Sequence, residues 1–277
     1  MTPSRIPLAG VIGSPIAHSK SPLLHGHWLK TYGIAGHYIP MEVAADDLET
    51  VLRTLPKMGF VGCNITIPHK ERALTLADQV TDRATLIGAA NTLTFGAEGK
   101  IIADNTDGYG FMENLRRGAP GWDPKAGPAA VLGAGGAARA VICALLDAGV
   151  PEVLISNRTR TRADQLREDF GARLRVVDWV QAGNIIAEAR LVVNTTSLGM
   201  LGKPELRVPL DGIDKHTVVT DLVYNPLKTH LLQAADAAGA TTVDGLGMLL
   251  WQAVPGFERW FGQKPEVDEA TREAVLG

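Results

Sequence analysis

The chain has 277 residues, 45% of them hydrophobic and 21% charged, with a formal net charge of -3. This is an ordinary globular composition, long enough for two domains with separate cores; it excludes a disordered or fibrous chain and gives no support to nucleic-acid or membrane binding. No apolar run reaches the length of a membrane span, and the opening Ile6–Ile12 run is too short and poorly flanked for a signal peptide. Cys63 and Cys143 lie far apart with no C-x-x-C, which fits a reducing cytoplasm and excludes a cysteine zinc site; His18, His25 and His27 lack metal-ligand spacing, so no metal is expected.

In chain order, Ile6–Ile12 reads as a first strand. The loop Gly13-Ser14-Pro15-Ile16-Ala17-His18-Ser19-Lys20-Ser21-Pro22 leads into a helical pattern through Tyr32. Ser21 is a good N-cap, with Pro22 at the first helical position. Ser19 and Ser21, two apart in an extended loop, could equally donate two hydroxyls to one anion beside the helix N-terminus. His37–Val43 reads as a strand and Asp46–Met58 as a helix. Val61–Pro68 is a third strand, in which parity places Cys63, Ile65 and Ile67 on a core face. Asn64 and Thr66 then point to the other face, with Lys70 just beyond. That polar face reads as a ligand-facing wall or as an ordinary solvent face. A helix over Thr81–Ile87, the segment Gly88-Ala89-Ala90-Asn91-Thr92, and a hairpin turning at Glu98-Gly99-Lys100 follow. Asp107 is placed to cap a helix from Tyr109 to Arg117, and a Gly- and Pro-rich stretch, Gly118–Pro128, connects to the second half.

The next stretch is the most informative. Ala129–Leu132 is a short apolar run entering Gly133-Ala134-Gly135-Gly136-Ala137-Ala138, followed by an Ala-rich amphipathic segment and a second apolar run, Val153–Ile155. Strand, glycine turn, helix, strand with G-x-G-x-x-A spacing is the dinucleotide fingerprint. Gly133 permits the tight turn, Gly135 lets the backbone approach a pyrophosphate, and Ala138 allows close helix–strand packing. An NAD site usually has an acid after the second strand to accept from the ribose 2′-hydroxyl. Here the sequence is Asn157-Arg158-Thr159-Arg160-Thr161-Arg162, three arginines and no acid, with Glu152 at the wrong end of the strand. Arg158 can make a bidentate pair with a phosphate and Arg162 lies one helical turn on, so the cofactor is read as NADP.

Strands at Leu174–Val177, Leu191–Asn194, Thr217–Leu222 and Thr241–Val243 continue the alternation, with a helix over Lys228–Ala238. This implies a doubly wound parallel sheet that binds ligands beyond the strands' carboxyl ends. Asp244-Gly245-Leu246-Gly247-Met248 opens one last long helix carrying Trp251, Gln252 and Trp260, which packs back on the first domain.

Eight motifs in this order resemble the shikimate dehydrogenase family over nearly the whole chain. They are P-I-A-H-S-K-S-P (15–22), N-I-T-I-P-H-K (64–70), G-A-A-N-T (88–92), N-T-D-G (105–108), G-A-G-G-A (133–137), N-R-T-R-T-R (157–162), D-L-V-Y-N-P (221–226) and G-L-G-M-L-L-W-Q-A (245–253). The resemblance implies reversible NADP-dependent oxidation of shikimate to 3-dehydroshikimate, a step of aromatic amino-acid biosynthesis through chorismate. It implies that Lys70 is the catalytic lysine and Asp107 its partner, and that Ser19 and Ser21 hold the substrate carboxylate. Thr66, Asn91, Tyr224 and Gln252 then match substrate contacts, to which the polar strand face adds Asn64. On the cofactor side, Gly133, Ala134, Gly135, Gly136 and Ala137 match the phosphate loop, and Asn157, Arg158, Thr159 and Arg162 the 2′-phosphate clamp. Leu222, Gly245 and Met248 match positions near the nicotinamide, and Asp82 an acidic position near the cofactor. The expected architecture is α/β: an N-terminal substrate domain over 1–108, completed by a C-terminal helix over 245–277, and a Rossmann-type NADP domain over 109–244. The site is expected in a cleft between them that closes on ligand binding. A cytoplasmic monomer or homodimer, acting on a small molecule without nucleic acid or membrane partners, completes the reading. A quinate/shikimate enzyme that uses NAD and a non-catalytic NADP-binding sensor remain the alternatives.

Overall fold

The computed structural model describes residues 6–277. They form two compact units, one of residues up to Thr106 together with Leu250–Gly277, the other Asp107–Leu249.

The first unit opens with β1 (Leu8–Gly13), α1 (Ser21–Thr31), β2 (His37–Glu42) and α2 (Leu48–Thr54). The expected helix over Asp46–Met58 is interrupted: short 3-10 turns at Ala45–Asp47 and Leu55–Met58 flank α2. Pro56 explains the second break, because it has no N–H to continue the helix and disfavours helical geometry in the residue before it. Then come β3 (Gly62–Ile65), α3 (Lys70–Leu76), β4 (Gln79–Val80), α4 (Asp82–Ile87), β5 (Thr92–Phe95) and β6 (Ile101–Asp104). The pattern did not reveal α3 or β4. The mixed sheet has the order β2-β1-β3-β5-β6-β4, parallel through β2, β1 and β3 and antiparallel at β5.

Strand parity fails at one predicted core residue. Cys63 and Ile65 are buried, but Ile67 is 74% exposed. The ladder ends at Ile65, and the His69 N–H donates to Thr66 O, closing a turn around Pro68 in which the two-residue period no longer applies.

The second unit contains α5 (Asp107–Gly118), β7 (Ala129–Leu132), α6 (Gly136–Asp147), β8 (Val153–Ser156), α7 (Arg160–Phe170) and β9 (Leu174–Val177). After them come α8 (Ala182–Glu188), β10 (Leu191–Asn194), β11 (Val218–Asp221), α9 (His230–Ala237) and β12 (Thr241–Val243). The sheet is wholly parallel, in the order β12-β11-β10-β7-β8-β9. This is the Rossmann order, with the direction of winding reversing between β7 and β10. The four central strands, β7, β8, β10 and β11, are buried on both faces. Ala129 and Val131 pack with α5, α6 and α7, whereas Ala130 and Leu132 pack with α8 and α9, which is why these strands read as continuous apolar runs.

The chain then returns through α10 (Leu246–Phe261), which starts in the second unit and ends in the first, and α11 (Glu269–Leu276). The single expected helix over 245–277 is therefore two, since Gly262 takes a left-handed φ of 74° and ends α10. In the first unit Phe257 and Trp260 of α10 join His25, Trp28 and Tyr38 in one aromatic cluster. Gly62 makes this approach possible, because a Cβ there would overlap the Trp260 indole and the Leu93 carbonyl. The Trp260 Nε1–H donates to that same carbonyl at 3.1 Å.

Candidate active site

In the first unit the predicted residues gather where β1, β3 and β5 meet. Ser21 is the first residue of α1 rather than its cap; Lys20 holds the cap position, and the Ser21 N–H donates to Ser19 Oγ at 3.3 Å. The two serines are thus tied together, Ser21 buried and Ser19 half-buried. Thr66, half-buried, follows β3, and its N–H donates to Ile12 O at 2.9 Å. Lys70 begins α3, and its carbonyl accepts the Ala90 N–H at 2.9 Å, which anchors it beside the segment carrying Asn91.

Asn64 was expected on an open polar face and is instead buried. Its Nδ2 donates to Asn91 O (3.1 Å) and Thr92 Oγ1 (3.2 Å), and its Oδ1 accepts from the Tyr38 hydroxyl (2.7 Å). Asn91 Oδ1 accepts from the Thr106 N–H (2.8 Å) and the Thr92 hydroxyl (2.9 Å), and its Nδ2 donates to Gln252 Oε1 (3.2 Å). The Thr106 hydroxyl donates to Gln252 O at 2.8 Å, so α10 is pinned to this network. Buried polar groups are tolerated at this density only when mutually satisfied.

Sequence reasoning missed Tyr38, Thr92, Thr106 and Asp104. Asp104 is 1% exposed and meets Arg83 and Arg259, with Thr81 donating at 2.9 Å. Burial pushes its carboxyl upward, but the two guanidiniums and the hydroxyl more than offset this and hold it well below the usual range. Its signal was weak, a single acid ending a short strand. Asp82 starts α4 in this unit and is exposed.

In the second unit the nucleotide-side residues lie at the carboxyl ends of β7, β8 and β11. Gly133 has φ 112°, and a Cβ on it would come 2.6 Å from Thr195 Oγ1, so both its conformation and its space require glycine. Gly135 is the N-cap of α6 and makes no side-chain cap; a Cβ on Gly135 or Gly136 would meet nothing, so this face of the loop is open. Ala134 and Ala137 are half-buried beside them. After β8 the Asn157 side chain donates to Thr159 O, shaping the turn. Arg160 is engaged by Asp164 and Asp178, whereas Arg158 and Arg162 are exposed and in no ion pair among the described residues. Glu152 pairs with Arg175, away from this turn. Two uncommitted guanidiniums, an open glycine loop ahead of a helix N-terminus and no acid after β8 fit a dinucleotide bearing a 2′-phosphate.

Asp221 ends β11 and is 1% exposed. It accepts from Asn194 Nδ2 (2.9 Å), the Val223 N–H (3.0 Å) and Thr229 Oγ1 (2.7 Å). Burial outweighs these bonds and raises its carboxyl to about 6. It holds the loop carrying Leu222 and Tyr224, both half-buried, and burial likewise raises the Tyr224 phenol. Gly245 is buried against the Leu222 carbonyl group, and Met248 packs on the α6-side core. Asp107, buried, is the first residue of α5, not a residue preceding the helix. Among the described residues no group of acids, histidines and cysteines could hold a metal ion.

Comparison with known proteins agrees with this geometry. Three family models match: the shikimate dehydrogenase substrate binding domain over residues 11–93, shikimate/quinate 5-dehydrogenase over 123–201, and the shikimate 5′-dehydrogenase C-terminal domain over 245–276. A shikimate dehydrogenase (NADP(+)) from Roseobacter denitrificans is 70% identical over 277 residues, covering 100% of both chains. The chain belongs to the shikimate dehydrogenase family. Among solved structures, quinate dehydrogenase from Corynebacterium glutamicum in complex with NAD has a TM-score of 0.91 at 33% identity, covering 98% of this chain and 99% of that one. The Thermus thermophilus shikimate 5-dehydrogenase in complex with NADP(H) and shikimate has a TM-score of 0.86 at 40% identity, covering 98% of each.

Proposed function

We infer that this protein catalyses the reversible NADP-dependent reduction of 3-dehydroshikimate to shikimate, a step toward chorismate and the aromatic amino acids. The observation that carries the cofactor choice is the pair of uncommitted guanidiniums at Arg158 and Arg162, after a strand that ends without an acid. The 70% identity to a shikimate dehydrogenase (NADP(+)) over the whole length supports the substrate.

The roles follow from the chemistry of each group. When bound, NADP supplies the hydride acceptor for alcohol oxidation and the donor for ketone reduction. Lys70 moves the proton: it takes it from the reacting hydroxyl in oxidation and returns it to the ketone oxygen in reduction. Asp107 orients that hydroxyl and Lys70. The Ser19 and Ser21 hydroxyls hold the carboxylate, and Asn64, Thr66, Asn91, Tyr224 and Gln252 surround the ring hydroxyls. Residues 133–137 hold the pyrophosphate; Asn157, Arg158, Thr159 and Arg162 hold the 2′-phosphate. Leu222, Gly245 and Met248 flank the nicotinamide, with Asp82 the remaining acidic contact to the cofactor. Residues 1–108 with 245–277 act as the substrate domain and 109–244 as the NADP domain, in a cytoplasmic enzyme.

Initial rates of nicotinamide reduction with shikimate or quinate, each with NADP or NAD, test this reading. Strong preference for shikimate with NADP is expected. Comparable rates with quinate or NAD would move the chain toward the dual-specificity branch. No turnover in any combination would refute the enzymatic assignment.

A further inference from the structure

The acid that the run 157–162 lacks is supplied by the neighbouring strand. β8 and β9 pair in parallel with Ser156 opposite Val177, so the chain leaves the sheet at Asn157 on one strand and at Asp178 on the next. Asp178 therefore stands beside the turn 157–162, although it lies well past it in sequence. An aspartate at the start of a helical turn usually caps it. Asp178 precedes the 3-10 turn Trp179–Gln181, yet its side chain makes no cap there. Its Oδ1 accepts from Arg160 Nη1 at 2.6 Å instead.

Arg160 is the first residue of α7, where a cation opposes the helix dipole and no acid occupies the first turn. Two carboxylates compensate it: Asp178 and, one turn along the helix, Asp164, whose Oδ2 lies 3.6 Å from Arg160 Nε. Arg158, Arg160 and Arg162 against Asp164 and Asp178, three cations and two acids, leave this corner one net positive charge. The Arg160 and Asp178 side chains are 51% and 56% exposed, so the pair adds little to stability. What it sets is the potential beside Arg158 and Arg162. An unpaired carboxylate there would repel a phosphate and would not repel a ribose hydroxyl.

We propose that Arg160 and Asp178 are a specificity-determining pair for the cofactor: Arg160 masks the Asp178 carboxylate, so that Arg158 and Arg162 keep their hold on a 2′-phosphate. This rests on the proposed role of Arg158 and Arg162 as the 2′-phosphate clamp. Arg160 acts on the phosphate through Asp178 rather than by touching it, because its guanidinium is taken up by Asp164 and Asp178. Specificity is a difference between two affinities, and this pair works on that difference by removing a repulsion that only the phosphorylated cofactor would feel. Three arginines in a row therefore divide into two roles, two that receive the phosphate and one that silences an acid.

The test is equilibrium binding of NADPH and NADH to the full chain, read by the fluorescence of the reduced nicotinamide, for Arg160→Ala, Asp178→Asn and the two combined. At low salt Arg160→Ala should raise the Kd for NADPH by about threefold or more, the size of one exposed charge interaction, with the Kd for NADH not raised. Asp178→Asn should lower the Kd for NADPH by about twofold or more, and the combined variant should return to within about twofold of the unmodified protein. All three differences should shrink in about 1 M salt, where the Debye length is about 3 Å. The shikimate KM and kcat should stay within about twofold throughout. A combined variant as weak for NADPH as Arg160→Ala would overturn the proposal, since Arg160 would then touch the phosphate itself. So would unmoved NADPH binding in both single variants, or a parallel rise for NADH, which would mark a rearranged turn. If Arg160→Ala does not fold, the direction of the Asp178→Asn change decides. Arg158→Ala with Arg162→Ala leaving NADPH binding unchanged would instead overturn the clamp, so the two failures are distinguishable.

Discussion

Asp221 offers a quantitative check on the geometry of the second unit. Its carboxyl is raised from 3.8 to about 6, because burial outweighs the bonds from Val223, Thr229 and Asn194. Each pKa unit is about 1.36 kcal/mol, so at pH 7 the buried carboxylate costs the native state roughly 3 kcal/mol relative to the unfolded chain. The sign follows from proton uptake. As pH falls through about 6 the native state binds a proton while the unfolded state, titrating at 3.8, does not, so stability gained from this residue rises until both forms are protonated. In Asp221→Asn that rise is absent. Linkage puts the difference at about 2 kcal/mol between pH 7 and pH 4.5: relative to the unmodified protein, the variant should lose that much on acidification. His25, lowered from 6.5 to about 3, acts oppositely, since the unfolded chain protonates first and native stability falls with pH, but it is common to both proteins and cancels. Asp78, Asp104, Asp169 and Asp214 lie below their ordinary values and lose their contributions only at more acidic pH. Urea unfolding at the two pH values measures the difference directly. A stability gap between the proteins that is constant within about 0.5 kcal/mol would refute the burial argument, whatever its absolute size.

Three further variants test separate parts of the structure. Lys70→Ala should lower kcat on the order of a hundredfold with little change in the KM for shikimate; a near-normal kcat would remove Lys70 from proton transfer. Gly62→Ala places a methyl against the Trp260 indole and the Leu93 carbonyl and should cost about 1–3 kcal/mol by urea unfolding, with an unchanged midpoint showing that α10 does not pack there as closely as described. Arg158→Ala with Arg162→Ala should raise the KM for NADP by about tenfold or more while leaving any NAD-linked rate unchanged; equal effects on both cofactors would assign these arginines elsewhere.

The second unit was legible because its signals are local. Gly133 and Gly135 mark a turn whose flanking strands are buried on both faces, so a short apolar run, a glycine loop and an Ala-rich helix carry the information within about 30 residues. Arg158 and Arg162 stand out in the sequence for the same reason, as cations in a stretch, 157–162, that holds no acid. The first unit resisted reading where partners are distant in sequence. Tyr38 reads as a strand aromatic and Thr92 as a strand hydroxyl; nothing near either says that Asn64 and Asn91 complete them. Asp104 finds Arg259 only after the chain returns through α10. Parity misled at Ile67 because alternation holds only while the ladder does, and the ladder stops two residues earlier. Asn64 kept the face that parity assigned, but that face is sealed by Tyr38 and Thr92 rather than open.

The two units also embody different physics of anion recognition. Arg158 and Arg162 are exposed charges, so the hold on a phosphate proposed for them would be strong at low salt and weaken as the Debye length shortens from about 10 Å at 0.1 M to about 3 Å at 1 M. The proposed substrate site relies on the Ser19 and Ser21 hydroxyls for the carboxylate and on neutral side chains around the ring hydroxyls. Neutral dipoles in a low-dielectric setting feel added salt little, and they discriminate by the number and direction of their donors rather than by charge. A ligand lacking one oxygen would leave a donor unpaired at a cost of about 1–3 kcal/mol, whereas a cofactor lacking the 2′-phosphate merely leaves two arginines in water. On the proposed assignments, specificity for the acid rests on neutral groups of the first unit and specificity for the cofactor on a surface turn, where a few substitutions could change it without disturbing a core.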